Sequence, residues 1–351
     1  MASMWQRIFG SSNVTASRAQ PRATAAPRTM REVVEPDEVE DEEADAPAFS
    51  RPEIGDRFNR FVLGLPARKV DELSTIEQAA LKRLKQLSVR FDMKSLPRLP
   101  SVLPHLLRTL KNEDAAGAQL AKLVGRDPLM VGEVMRVTSS VYYRSVQPIS
   151  SLRQAVVLLG HDGLRQVLTQ HVMKPLLQAN AGGLAHSAGV RLWEHAERCA
   201  HACATLGKIS GCDVFEAYLA GITCRTGTGA VVRLLDKLMP EVNLPLSSSF
   251  LVACEQLSAQ LSLQASQHWE LPSNVKQAME DRIKPADDIS SPLGKVLHVA
   301  DLLAMAQLLS DHSQIPAEID LDEAVPDYFT SAQLERCQLE LKHNFSMSKP
   351  L

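Results

Sequence analysis

Residues 94–168 read KSLPRLPSVLPHLLRTLKNEDAAGAQLAKLVGRDPLMVGEVMRVTSSVYYRSVQPISSLRQAVVLLGHDGLRQVL, and they hold more helix start and stop signals than any other part of the chain. After the two prolines of the entry segment, apolar residues between Val102 and Leu110 recur with the period of a helix that buries one face. A second short helix follows and ends at Gly125, since glycine commonly terminates helices. The stretch therefore predicts short helices joined by short turns.

Capping signals mark the next two helices of this stretch. Asp127 followed by Pro128 is typical of an N-cap with proline at the first helical position. Ser150 or Ser151 caps the following helix, and its apolar stripe is stopped by Gly160. Helical spacing resumes directly after this glycine. We therefore expect a break in the backbone there, between two helical pieces.

Helical spacing continues beyond this block, and no alternating strand pattern or hairpin dipeptide occurs within it. We therefore predict an all-α, multi-helix bundle. The predicted divisions are a disordered tail over 1–52, a helical linker over 53–93, a helical domain over 94–310, and a C-terminal extension over 311–351 that contains one amphipathic helix.

The residues before this domain change character along the chain. Residues 1–31 contain five arginines and no acid, whereas residues 32–45 contain nine acids and no base. Such segregation of charge with low hydrophobicity is typical of a disordered tail. Further on, Ser74 and Glu77 have the spacing of a capping box, which predicts the start of a helix. This helix either packs on the following domain or acts as a lever between the tail and the domain.

The composition limits the class of protein. The chain has 351 residues, 45% of them hydrophobic, which is enough for a sizeable core. The formal net charge of −3 gives no global attraction to nucleic acid, so we expect no nucleic-acid partner. No run approaches the roughly 18 uninterrupted apolar residues of a membrane span. We predict a soluble, cytoplasmic protein whose six cysteines are reduced, with Cys199 and Cys203 behaving as small hydrophobic residues on one helix.

Several motifs in order make the helical block resemble a known family. These are the LPRLP entry, the RDP before the third helix, the RVTSSVYY at its end, the PISSLRQAVVLLG helix and the LRQVL after it. Together they resemble the HDOD family, the HD-related output domains of bacterial signalling proteins, over Ser95 to Leu309. The resemblance implies an all-helical fold related to HD-type metal phosphohydrolases, used in signalling and usually without demonstrated catalysis.

The resemblance also locates the metal ligands of an HD hydrolase. The first histidine falls on His195, the adjacent His-Asp pair on Cys224 and Arg225, and the last aspartate on Asp301. Arg225 would repel a divalent metal as well as failing to bind it. The histidine pair of many relatives is replaced by residues 280–283, Glu-Asp-Arg-Ile. We therefore predict vestigial metal positions, no catalytic residue and no cofactor, and we hypothesise that Arg225 pairs with Asp301.

The segment Gly227-Thr228-Gly229 has the small residues of a phosphate loop. However, neither the complete P-loop motif nor a preceding strand is present. We therefore predict that this segment is a flexible connection between helices.

Three functions compete at this point. The first is a non-catalytic signal-transduction or scaffold module that binds protein partners of unknown identity. The second is a remnant metal-dependent phosphohydrolase acting on a phosphoester or cyclic dinucleotide. The third is a nucleotide sensor in which the former active-site cavity binds a second messenger without cleaving it, with Arg225 as the phosphate contact. We predict the first.

Overall fold

The structure, a computed structural model, describes residues 47–67, 72–89, 124–125, 128–138, 149, 151–178, 183–239, 246–321 and 324–345. Within these ranges the chain forms α-helices and no strand, so the all-α prediction is confirmed. The helices are α1 (Arg51–Leu63), α2 (Thr75–Val89), α3 (Pro128–Thr138), α4 (Leu152–Leu177), α5 (Gly183–Ile209), α6 (Val214–Thr223), α7 (Thr226–Leu238), α8 (Ser248–His268), α9 (Ser273–Asp281), α10 (Pro292–Asp311) and α11 (Ser331–Phe345).

The start and stop signals of the opening stretch act as predicted where the structure describes them. Pro128 is the first residue of α3. Ser151 caps α4, and its hydroxyl accepts a hydrogen bond from the Gln154 N–H at 3.2 Å. Gly160 has a φ of 65° and a ψ of −173°, which breaks α4 into two helical pieces. Glycine suits this position because a side chain would be strained at that positive φ.

Some predictions fall on residues that the structure does not describe. These are residues 1–46 of the tail, the helix between Val102 and Leu110, and the cap at Asp127. Of the short helix that ends at Gly125, only Val124 and Gly125 itself are described. These parts stay predictions.

Helix α10 lies at the centre of the bundle and is buried along nearly its whole length. It packs against α1, α5, α6, α9 and α11. By length and composition α10 could cross a membrane, but 83% of its most apolar 18-residue window is buried inside the protein. Such burial is typical of a core helix. The one strongly polar side chain in its middle, Asp301, is therefore held in the interior.

The capping box predicted at the start of α2 is present. The Ser74 N–H donates to Glu77 Oε2 at 2.6 Å, and the Glu77 N–H donates to Ser74 Oγ at 3.2 Å. Glu77 Oε1 also accepts from the backbone N–H of Ser247, the N-cap of α8, at 2.6 Å. One carboxylate thus satisfies backbone donors at the starts of two helices, and α2 packs on the domain.

The prediction of a flexible connection at Gly227-Thr228-Gly229 was wrong, because these residues form the buried first turn of α7. The Gly227 N–H donates to Ser262 Oγ of α8 at 2.9 Å. A Cβ atom at Gly227 would lie 2.0 Å from the Ser258 carbonyl oxygen. Glycine is required here by the close approach of α7 to α8, not by flexibility.

Candidate functional site

The four positions assigned to the former metal site meet in the core. His195 lies in the middle of α5, Asp301 in the middle of α10, and Cys224 and Arg225 form the corner between α6 and α7. Their exposed fractions are 0%, 3%, 0% and 2% respectively. We call these four residues the closed site, because all of them are sealed from solvent.

The Arg225 guanidinium holds Asp301 through two hydrogen bonds. Its Nε donates to Oδ1 at 2.9 Å and its Nη2 donates to Oδ2 at 2.8 Å, so the predicted pairing is confirmed. Nη2 also lies 3.0 Å from the sulfur of Met305, and the guanidinium carbon lies 4.5 Å from the ring centroid of Phe58. The planar guanidinium can donate to both carboxylate oxygens of Asp301 while its face lies over the Phe58 ring.

Two further arginines surround this pair. Arg282 Nη2 lies 3.6 Å from Asp301 Oδ2, and Arg282 Nη1 donates to the Cys224 carbonyl at 3.1 Å. Arg51, near the start of α1, donates to the His298 carbonyl at 3.1 Å, and burial lowers the pKa of its guanidinium. Burial would raise the pKa of Asp301, but Arg225 and Arg282 hold it well below its ordinary value. The carboxyl therefore stays ionised.

His195 lies beside the ion pair as a neutral imidazole. Burial lowers its pKa, and the opposing effect of the Asp301 carboxylate does not offset this. Its Nε2 is 3.1 Å from Asp301 Oδ1 but outside hydrogen-bond geometry, so among the described residues neither ring nitrogen has a hydrogen-bond partner. The ring instead packs against Phe58, with centroids 4.9 Å apart.

Cys224 faces a second thiol that the sequence placed only among core residues. Its sulfur lies 3.8 Å from that of Cys199 and 3.1 Å from the Gly221 carbonyl oxygen. Burial raises the pKa of Cys199 well above its ordinary value, and contact with Cys199 together with burial does the same to Cys224. Both thiols are therefore protonated. The four-residue spacing of His195 and Cys199 on α5 is the signal that places them on one face.

The donor atoms at this place do not fit a divalent metal. His195, Cys199 and Asp301 each offer one ligand atom, and these atoms lie within 4.8 Å of one another. However, both oxygens of Asp301 already accept N–H groups from Arg225, and the thiol is protonated. A metal ion would have to displace a fixed cation and would meet Arg282 as well. These residues are therefore arranged as an ion pair and not as a set of metal ligands.

Phe58, Arg51 and Arg282 surround the closed site and were not included in the metal pattern. The two α1 residues lie outside the range of the family resemblance. Arg282 lies where many relatives carry a histidine pair, so its position, though not its contact, was visible in the sequence. All three were found only through packing in three dimensions.

Comparison with known proteins decides the family. A family model of the HDOD domain matches residues 96–285. The chain belongs to the HDOD family. A curated relative is an uncharacterised protein of Treponema pallidum (strain Nichols), 23% identical over 209 residues, which are 57% of this chain and 39% of that protein. The chain thus spans about two fifths of the length of that relative.

Two solved structures share the HDOD fold. An HDOD domain protein of unknown function from Geobacter sulfurreducens is 18% identical, with a TM-score of 0.50, over 78% of this chain and 90% of that one. A protein from Shewanella amazonensis SB2B, whose description proposes a metal-dependent phosphohydrolase, is 17% identical, with a TM-score of 0.51, over 76% of this chain and 100% of that one. At these identities the likeness concerns the fold alone.

Proposed function

We propose that this HDOD protein is a non-catalytic signal-transduction module of the cytoplasm, which binds protein partners through its helical surface. The observation that carries the proposal is the bidentate pair between Arg225 and Asp301 inside the closed site. This pair supplies from the protein itself the positive charge that a metal gives an HD hydrolase.

A fixed guanidinium cannot replace a metal in hydrolysis. A divalent ion lowers the pKa of a bound water and generates the nucleophile, whereas a guanidinium has no open coordination position. The neutral, buried His195 also packs against the Phe58 ring. These features support a structural role for the former catalytic residues.

Metal analysis of the purified full chain, together with a phosphodiesterase assay on bis(p-nitrophenyl) phosphate, tests the proposal. We expect substoichiometric metal and no turnover above buffer, with no difference between wild type and His195→Ala. Stoichiometric metal with turnover that His195→Ala abolishes would overturn it. A pull-down with the full chain and with residues 1–50 removed then tests whether the tail contributes to partner binding.

The second candidate is the remnant phosphohydrolase, and the description of the Shewanella amazonensis structure favours it. The metal and turnover measurements above decide it.

The nucleotide sensor is the third candidate. It requires Arg225 to contact a phosphate, although this side chain is 2% exposed and already bound to Asp301. Calorimetry with cyclic dinucleotides tests it: heat that is lost in Arg225→Lys would support it, and no heat would remove it.

A further inference from the structure

A cavity separate from the closed site opens between α3, α4 and α5. Its volume is about 420 Å³, which lies within the range of small-molecule sites. The wall contains the Trp193 indole with Val190 from α5 and Pro175 from α4, together with charged side chains from all three helices. We call it the α3–α5 cavity. Neither the family resemblance nor the proposed function uses it.

The charges on the wall fall into two classes. Arg136 and Glu133 of α3 neutralise each other, with Arg136 Nε 2.9 Å from Glu133 Oε2. Lys174 of α4 and Glu197 of α5 line the same cavity, but in the part of the chain that the structure describes neither takes part in an ion pair within 4.0 Å. The cavity therefore presents one cation and one carboxyl that are separated from each other.

The Glu197 carboxyl is poorly compensated where it lies. Burial raises its pKa to about 7, although Lys174, Arg198 and Arg136 each act to lower it and only Glu194 adds to the rise. Arg198 is already committed to Asp311, with Nη2 at 2.6 Å from Oδ2. A half-buried carboxyl without a close counter-charge is costly, and a cationic group of a ligand would relieve that cost.

Lys174 is the complementary group. Its side chain is exposed, and its ammonium lies 5.8 Å from the centroid of the Trp193 ring. A ligand with only an ammonium would engage Glu197 and leave Lys174 unpaired beside it, and a ligand with only a carboxylate would do the reverse. A ligand that carries both charges can pair with Glu197 and with Lys174 at the same time.

We propose that the α3–α5 cavity binds a small zwitterion, an α-amino acid with an apolar side chain, with its ammonium on Glu197 and its carboxylate on Lys174. The apolar side chain packs against Trp193, Val190 and Pro175. This inference goes beyond the proposed function: it gives the module a small-molecule signal without requiring catalysis.

Calorimetry with the full chain and three related probes tests the inference. L-phenylalanine carries both charges, 2-phenylethylamine lacks the carboxylate, and 3-phenylpropionate lacks the ammonium. We expect L-phenylalanine to bind and each analogue to bind at least about tenfold more weakly, since each loses one charge-assisted contact.

Two variants assign the contacts. Glu197→Gln should weaken the binding of L-phenylalanine and 2-phenylethylamine and leave that of 3-phenylpropionate unchanged. Lys174→Met should weaken the binding of L-phenylalanine and 3-phenylpropionate and leave that of 2-phenylethylamine unchanged. Arg336→Ala, on α11 and outside the cavity wall, is the matched control, and circular dichroism checks that each variant is folded.

Three outcomes overturn the inference. The first is no heat with L-phenylalanine, L-leucine or L-methionine. The second is binding that survives in the Glu197→Gln/Lys174→Met double variant. The third is 3-phenylpropionate binding as tightly as L-phenylalanine, which would identify an anion site instead. None of these results depends on whether the closed site is catalytic, so the two proposals fail separately.

Discussion

The closed site and the α3–α5 cavity share helix α5 but treat charge in opposite ways. His195 belongs to the closed site, while Trp193 and Glu197, two residues away on either side, line the cavity. In the closed site Asp301 is matched by arginines and its pKa is depressed, whereas in the cavity Glu197 is unmatched and its pKa is raised. The first region is therefore part of the core, and the uncompensated charge of the second is the basis of the binding that we propose there.

The largest expected effect is that of removing the charge inside the closed site. Arg225→Ala leaves the Asp301 carboxylate buried without its bidentate partner and should lower the free energy of unfolding by about 3–5 kcal/mol, as for other broken buried pairs. Urea denaturation at neutral pH measures this.

Two further variants test whether this loss comes from the unpaired buried charge. Arg225→Met combined with Asp301→Leu should recover part of the loss, since both partners of the bidentate pair are replaced while Arg282 and Glu255 each lose one longer contact. Arg336→Ala, which breaks the exposed pair with Glu340, should cost about 0–1 kcal/mol. If Arg225→Ala is as stable as Arg336→Ala, the closed site is not held together by its ion pair.

The next effect concerns the close contact that positions the corner carrying Arg225. Gly227→Ala would push a methyl group into the Ser258 carbonyl and should cost about 3 kcal/mol, at the upper end for overpacking. The matched control is Gly229→Ala in the same helical turn, where the nearest atom is 3.8 Å away. It should stabilise α7 by about 0.5–1 kcal/mol. Equal denaturation midpoints for the two variants would contradict this packing.

In the cavity the expected effect depends on pH. The folded chain keeps a proton on Glu197 up to about pH 7, whereas the ordinary pKa is 4.5, so folding takes up a proton between these values and stability falls as pH rises through them. Glu197→Gln should remove this slope and stabilise the protein by on the order of 2 kcal/mol above about pH 7.

Urea denaturation across this pH range checks the slope, with the exposed Glu335→Gln as the control. Below about pH 4.5 the two variants should equal wild type. A wild-type curve that is flat between these pH values, or a Glu197→Gln curve that still falls, would refute the prediction.

The smallest effect distinguishes the arginines around Asp301. Arg282→Ala removes one hydrogen bond to the Cys224 carbonyl and a longer, 3.6 Å contact to Asp301, so we expect a loss of about 1 kcal/mol. Thermal unfolding of Arg282→Ala and of Arg225→Ala, measured in parallel, compares the two losses of stability. A loss as large as that of Arg225→Ala would mean that the two guanidiniums hold the carboxylate equally.

The sequence predicted the elements of this molecule better than their contacts. Pro128, Gly160 and the Ser74–Glu77 box act through local backbone geometry, which the chain specifies over a few residues. The pairing of Arg225 with Asp301 was also predictable, because the family pattern states which positions meet.

Other features depend on neighbours that are distant in the chain. Glycines usually weaken helices, so Gly227 predicted a loop, and only the approach of α8 explains why a helix begins there. Phe58 could not be assigned, since nothing local shows that α1 packs over the imidazole of His195. The separation of Lys174 from Glu197 is likewise a property of three packed helices.

Glu77 has a consequence for where this protein can be divided. The family model matches from residue 96, yet the Glu77 carboxylate, nearly twenty residues earlier, accepts a hydrogen bond from the N–H of Ser247, the N-cap of α8. A fragment cut at residue 96 would also lack the aromatic ring over Arg225. The range that the family model matches is therefore shorter than the length of chain whose contacts support α7 and α8.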